Sequence, residues 1–386
     1  MHNLLHAGII DSTLREGAQA PGIEFSDVEK IQIIQHLSDL GVDEIELGIA
    51  APCFTGLPSL IMDARTIANK KSRLSLWSRC RKEDIEFASK CAPDVLSLSI
   101  PVSDIHIHDK LGRDRQWVLD TLIKSIDDAR QKGVPYISVG LEDASRGDKD
   151  FVARVASEAE SAGASRLRLA DTVGIATPGM TTILVQHARK HCSLPIGIHA
   201  HNDFGMATAN TMAALEAGAV WADATVLGLG ERAGNCRLEE LVGYLCLIHS
   251  HDRYRPEKLA GLCKLISRAA GQPVARNHPV VGEEIFTCET GLHVHGLTVN
   301  PATYEPYDPQ KIGRSRTIRF GGKTGKGAVR NVLASMNCKL TEHEAGKLVS
   351  RVRHMTGMRK IALNSQELAN LARQEGFVSL SLGEHY

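Results

Sequence analysis

Eight short apolar, β-branched runs recur between Gly8 and Leu227 of this 386-residue chain. They are Gly8-Ile9-Ile10, Glu44 to Leu47, Leu74 to Trp77, Val95 to Leu98, Tyr136 to Val139, Arg166 to Leu169, Ile196 to Ile198 and Ala224 to Leu227. Helical patterns lie between most of them. One connector shows the chemistry clearly. Ser26 and Glu29 have the spacing of a capping box. Val28, Ile31, Ile34, Leu37 and Leu40 then follow a helical apolar stripe. Gly41 stands where a left-handed cap ends a helix, as do Gly133 and Gly163 before the fifth and sixth runs. Strand–helix alternation repeated eight times predicts an α/β chain folded as a (β/α)8 TIM barrel. A doubly wound open sheet reads similarly in any one unit, but eight units in one run favour closure. In such barrels the chemistry sits just past the C-terminal ends of the strands.

Near residue 275 the rhythm changes. Gln272-Pro273 and Asn277-His278-Pro279 mark a linker, and 280–330 is rich in Gly, His and basic residues without a clear period. Residues 340–375 read as helical, through Glu342, Ala345, Leu348 and Val352, with Ser365 as the cap of a last helix. The expected organisation is a catalytic barrel over 1–274 and a smaller C-terminal unit over 275–386, part irregular α/β and part helical. Lys plus Arg and Asp plus Glu both number 45, so no basic footprint points to nucleic acid or an anionic membrane. No apolar run approaches the ~20 residues of a membrane span, and no charged leader precedes an apolar core. Nine cysteines without Cys-x-x-Cys pairs read as reduced thiols, so a cytoplasmic location is expected.

The strongest chemical signal is His199-Ala200-His201-Asn202-Asp203 at the end of the seventh run. Histidines at i and i+2 of an extended chain project to one face. Neutral imidazole is the commonest protein metal ligand, and one carboxylate from elsewhere completes an open divalent site. Glu16, in Asp11-Ser12-Thr13-Leu14-Arg15-Glu16 after the first strand, can supply it. Arg15 beside it can steady a developing oxyanion. A surface ion pair is the plain alternative for Arg15-Glu16, but its place on the catalytic face argues against that. After the fifth strand, Glu142 fits a proton relay or a partner for Arg146. After the sixth, Thr172 fits a substrate carboxylate or a helix N-cap. Gly228 to Asn235 matches a loose dinucleotide fingerprint, but its context fits close backbone approach to a phosphate or to the metal site better. Gly321 to Gly327 reads either as a phosphate loop or as a flexible basic turn.

Together these stretches resemble the metal-dependent acyl-CoA Claisen-condensation barrels, which include isopropylmalate, citramalate and homocitrate synthases and related lyases. The resemblance is carried by Asp11 to Gln19, Glu142 to Arg146, Ala170 to Gly174, His199 to Asp203 with Gly205, and Gly228 to Asn235. In the C-terminal part it is carried by Thr290 to His293, Tyr304, Asp308-Pro309, Gly313-Arg314 and Gly322-Lys323. Leu76 to Cys80, Leu96 to Asp104, His108 to Trp117 and Ala207 to Thr211 look most like the homocitrate synthases of nitrogen-fixing bacteria. The resemblance implies a divalent metal (Mg, Mn, Zn or Co) on Glu16, His199 and His201, with Asn235 nearby. It implies 2-oxoglutarate and acetyl-CoA as substrates, with Thr172 on the carboxylate and Gln19 positioning. It implies a proton relay of His293, Tyr304 and Glu142 beside Arg15, and a homodimer in which the C-terminal unit crosses to the partner barrel to complete the acetyl-CoA site.

The chain departs from the family at Cys288, usually a histidine, and at His295, commonly an aspartate. An arginine that binds the distal carboxylate in lysine-pathway relatives falls near position 107, which here is Ile107. Arg79, Arg81, His106 and His108 are the candidates to replace it. Glu16 in place of the commoner aspartate favours 2-oxoglutarate. Isopropylmalate, citramalate and Re-type citrate synthesis are the nearest rival activities. A metal-dependent aldolase or lyase and a non-catalytic metal-binding protein are the rivals of other classes.

Overall fold

The computed structural model describes residues 4–68, 71–289 and 291–377, with the side chains of Leu5, His295 and Thr298 excepted. Thr290 and the His295 side chain, both singled out above, lie outside the described residues. The chain divides into two compact units, Met1–Val274 and Ala275–Tyr386.

The first unit is a closed parallel barrel in the order β1 to β8. Its strands are β1 (Gly8–Asp11), β2 (Glu44–Ile49), β3 (Arg73–Arg79), β4 (Val95–Pro101), β5 (Ile137–Glu142), β6 (Arg166–Asp171), β7 (Ile196–Ala200) and β8 (Trp221–Ala224). Closure pairs Gly8 with Trp221 and Asp11 with Ala224. The helices that cover it are α1 (Asp27–Leu40), α2 (Leu57–Ala68), α3 (Lys82–Cys91), α4 (Arg115–Gln131), α5 (Lys149–Ala162), α6 (Pro178–His191), α7 (Ala207–Glu216) and α8 (Leu238–Leu247), followed by α9 (Leu259–Ala269). No described helix is long and apolar enough to cross a membrane.

Local signals explain the helix ends. Ser26 and Glu29 form the reciprocal capping box of α1, and Gly41 closes it in the left-handed region. Gly163 closes α5 in the same way. The buried face of α1 is Ile33, Ile34, Leu37, Ser38 and Leu40, whereas Val28 is exposed. Val28 fits the period but lies in the first turn, beyond the reach of the barrel.

Several strands run past their apolar cores. Glu142, Asp171 and His199 belong to strand ends, not to the loops after them. The eighth strand begins at Trp221, earlier than its β-branched residues suggest. Beyond Ala224 the chain leaves the sheet, because Thr13 Oγ1 takes the Val226 N–H and Leu227 turns with φ 58°.

The barrel interior is charged. One layer holds Arg166, fully buried, which donates both terminal nitrogens to Glu44 at 2.9 Å and its Nε to Ser138 at 3.0 Å. Arg73 reaches the same Glu44 carboxylate, and the Trp221 ring covers both guanidinium groups at 4.6 and 4.9 Å. The alternate residues of these strands, Ile9, Ile45, Leu74 and Leu167, are apolar and buried on the other face of the sheet.

The second unit contains β9 (Thr287–Cys288), α10 (Gly291–Val299), β10 (Thr317–Ile318), α11 (Lys326–Ser335), α12 (Glu342–Arg359) and α13 (Ser365–Gln374). Its core joins Val294, Phe320, Val329, Leu333, Leu348, Val352 and Leu368. One of these helices, α10, falls in the stretch that shows no period, because Gly and His dilute its apolar face. Gly321 to Gly325 is a turn that leads into α11. The cap of α13 is Asn364, not Ser365: Asn364 and Glu367 form a capping box there.

Two outcomes follow from this core. Arg166→Met leaves the Glu44 carboxylate with Arg73 alone in a dry interior. Breaking such a pair costs about 3–5 kcal/mol, so urea denaturation is expected to show a loss of that size. A loss below about 1 kcal/mol, the size of an exposed pair, contradicts the layer's role. At the end of β1, burial outweighs two hydrogen bonds from Thr13 and pushes the Asp11 carboxyl up to about 7. Between 3.8 and about 7 the unfolded chain ionises Asp11 while the folded protein keeps its proton. Stability from this group is therefore full below 3.8 and falls as pH rises, by at most about 1.4 kcal/mol per pH unit. Denaturation midpoints compared between the protein and Asp11→Asn should diverge across that window. Parallel pH profiles refute the assignment.

Candidate active site

The end of β7 carries His199, and His201 follows one residue past it. Strand alternation aims both rings at one face, with their Nε2 atoms 3.3 Å apart. Glu16, past β1, places Oε2 3.8 Å from His199 Nε2 and Oε1 3.8 Å from His201 Nε2. These ligand atoms lie within 4.8 Å of one another, and all three residues are buried. This is the one cluster of that kind among the described residues.

The donor set suits a cation. His199 Nδ1 donates to Asp223 at 2.9 Å, which leaves the Nε2 lone pair facing the cluster. Burial, and after it repulsion from His199, lowers the His201 imidazole to about 3, so that ring is neutral at physiological pH. Burial pushes the Glu16 carboxyl up, but the Arg15 guanidinium beside it outweighs that and holds it below the usual carboxylate range. Asn235 forms a backbone bridge with His201, and its Oδ1 is buried without a hydrogen-bond partner. A buried carboxylate, two imidazoles and an orphaned amide oxygen fit a divalent ion.

The glycine-rich loop after β8 is shaped around this site. A Cβ on Gly230 would fall 2.0 Å from Asn235 Nδ2 and 3.5 Å from Glu16 Cγ. Gly234 has φ +86°, and a Cβ there would meet the Gly228 carbonyl at 1.9 Å. The glycines thus permit close approach of backbone to the cluster.

Arg15 donates Nε to Glu46 at 2.5 Å and NH1 to Glu16, with Gln19 Oε1 at 3.4 Å from NH1. Glu142, at the end of β5, accepts from Lys110 at 2.5 Å and lies 3.2 Å from His106 Nδ1. Arg146 pairs instead with Asp143, through NH2 at 2.7 Å. Thr172 does not cap a helix: its Oγ1 accepts the Asp143 N–H at 2.8 Å, and Thr177 caps α6. Arg79 is committed through Nε and NH2 to Asp84, at 2.6 and 3.2 Å. Arg81 and His108 are exposed, and Ile107 is buried. In the second unit, the His293 and Tyr304 rings lie 4.2 Å apart at 36°.

Sequence reasoning missed Glu46, Arg168 and Asp223. Arg168 donates NH1 to Glu46 at 2.8 Å and places Nε 2.6 Å from Asp223. Burial raises the Glu46 carboxyl, but Arg15 and Arg168 outweigh it and bring it to about 2. The available signal was charge at every second position of a strand, Glu44/Glu46 and Arg166/Arg168. In a barrel buried on both faces, such charges must point inward and pair.

The sequence and fold match known proteins. The HMGL-like family matches residues 6–266, and the domain described as homocitrate synthase post-HMGL domain-like matches residues 280–360. A homocitrate synthase from Frankia alni is 42% identical over 324 residues, covering 84% of this chain and 92% of that protein. A 2-isopropylmalate synthase from Caldanaerobacter subterraneus subsp. tengcongensis is 39% identical and covers 94% of both chains. An (R)-citramalate synthase from Methanocaldococcus jannaschii is 35% identical, covering 94% of this chain and 73% of that one. The hydroxymethylglutaryl-CoA lyase structure from Pseudomonas aeruginosa shares the fold, with a TM-score of 0.62 at 21% identity, covering 69% of this chain and 94% of that chain. By these matches the chain belongs to the isopropylmalate/homocitrate/citramalate synthase family, built on an HMGL-like barrel, and is an acyltransferase of that family.

Proposed function

We propose that this enzyme is a homocitrate synthase, which condenses acetyl-CoA with 2-oxoglutarate and water to give homocitrate and CoA. The observation that carries the chemistry is the Glu16, His199 and His201 cluster with Arg15 at its edge. The identity to the Frankia alni homocitrate synthase and the post-HMGL match over 280–360 support the choice of oxo acid. We further propose that the product serves the nitrogenase iron-molybdenum cofactor, in line with the likeness to homocitrate synthases of nitrogen-fixing bacteria. A second reading, isopropylmalate synthesis, is favoured by the relative that matches 94% of both chains.

Glu16, His199 and His201, with Asn235 nearby, would hold the divalent cation (Mg, Mn, Zn or Co). When bound, it supplies a Lewis acid for the 2-oxo group. Thr172 holds the substrate carboxylate: its oxygen already accepts from Asp143, so its hydroxyl proton is free to donate. Gln19 positions the substrates from beside Arg15. Arg79 keeps NH1 for the distal carboxylate while Asp84 fixes the rest of its guanidinium. His293, with Tyr304 and Glu142, takes a proton from the acetyl-CoA methyl group. The resulting carbanion attacks the ketone carbon, and Arg15, preset by Glu46, stabilises the oxyanion that develops. Water then cleaves the thioester and releases the CoA thiol. His293 and Tyr304 serve the barrel of a partner subunit in a homodimer. We place the enzyme in the cytoplasm, a reading supported by nine cysteines scattered without Cys-x-x-Cys pairs.

Thiol release from acetyl-CoA, measured with 2-oxoglutarate, 2-oxoisovalerate and pyruvate, is expected to be fastest at low concentration with 2-oxoglutarate. A preference for 2-oxoisovalerate moves the assignment to the second reading. His201→Ala is expected to lose this activity while keeping its circular dichroism and thermal midpoint. An unaltered rate in that variant removes the metal cluster from the mechanism.

A further inference from the structure

Two metal-ligand candidates, Glu16 and His199, are joined by a second route that avoids the cluster itself. Glu16 accepts from Arg15, Arg15 donates to Glu46, and Glu46 accepts from Arg168. Arg168 approaches Asp223 at 2.6 Å, and Asp223 accepts from His199 Nδ1 at 2.9 Å. All six side chains are at most 7% exposed. The ring holds three carboxylates, Glu16, Glu46 and Asp223, against two guanidinium groups, Arg15 and Arg168. Carboxylates outnumber guanidinium groups by one in this dry interior, an excess that a cation at the cluster offsets.

We infer that Asp223 and Arg168 are positioning residues for the metal ligands, fixing the His199 ring directly and the Glu16 carboxylate through Glu46 and Arg15. This rests on the reading that Glu16, His199 and His201 hold a divalent ion. Two observations separate the role from simple core filling. The Glu44–Arg166 layer closes the barrel interior without touching any ligand. Asp223, in contrast, serves Arg168 Nε and His199 Nδ1 with the same oxygen, Oδ2, and leaves Oδ1 buried without a hydrogen-bond partner. A carboxylate placed for packing alone would satisfy both oxygens. Sharing one oxygen instead fixes the imidazole plane and keeps the proton on Nδ1, so the Nε2 lone pair faces the cluster.

The test is Co2+ binding to the chelator-stripped full-length protein, read by calorimetry and by visible absorption. The variants are Asp223→Asn, His201→Ala and Glu44→Gln. Asp223→Asn preserves the shape and one acceptor oxygen but removes the charge. It is expected to bind Co2+ about ten- to a hundredfold more weakly and to change the absorption spectrum. Glu44→Gln is expected to lower the unfolding midpoint without altering Co2+ affinity, and His201→Ala to lose the site. If Asp223→Asn binds within about twofold of the unaltered protein while His201→Ala does not bind, the positioning role is wrong. If His201→Ala binds as well as the unaltered protein, the metal reading itself fails. The 15N imidazole spectrum of the metal-free protein gives an answer without any variant. His199 protonated on Nδ1 supports the inference, and His199 protonated on Nε2 overturns it.

Discussion

The charged ring inside the barrel is the constraint on which the site depends. A parallel barrel ordinarily fills its interior with Val, Ile and Leu. Here β2 and β6 turn Glu44, Glu46, Arg166 and Arg168 inward, and β8 adds Asp223. Each charge is tolerable only because an opposite one meets it. The lower pair, Glu44 and Arg166, is close to self-sufficient and braces the fold. The upper set is not balanced, and its extra carboxylate lies beside two imidazoles. Fold and chemistry thus share one set of interactions.

That arrangement also explains why the mouth can be polar and still rigid. Arg15, at the mouth of the barrel, is held by Glu46 before any substrate arrives. Asp143 adopts φ 62°, and Ser103, Arg146 and the Thr172 hydroxyl hold it on three sides. The loop after β8 packs against Glu16 and Asn235 through glycines that leave no room for a side chain. Preorganised dipoles of this kind act without reorganisation during reaction. The second unit has its own core and holds the His293 and Tyr304 rings 4.2 Å apart, tilted by 36°.

Much of this was legible in the sequence, for identifiable reasons. Strand–helix alternation and capping signals such as Ser26/Glu29 and Gly41 are local, so they survive without tertiary information. The His199/His201 spacing also survives, because strand alternation alone puts both rings on one face. What was not legible depends on partners distant in the chain. Glu46 lies 122 residues from Arg168, and neither reads as part of the site without the other. Asp223 was hidden because the β-branched Thr225 and Val226, with Leu227, drew the eighth strand too late. In the second unit, α10 was hidden because Gly and His interrupt its apolar face and no period shows. Arg79 shows the opposite limit: its place at the end of β3 suggested a free cation, but Asp84 holds two of its nitrogens.

The central claim is that Glu16, His199 and His201 form one divalent-metal site that engages a 2-oxo acid. Anomalous diffraction from crystals grown with Mn2+ and 2-oxoglutarate tests it most directly. The account predicts a single strong peak bounded by those three side chains, with the oxo acid's carboxylate against it and near Thr172. A peak elsewhere, or an oxo acid bound away from the ion, contradicts it.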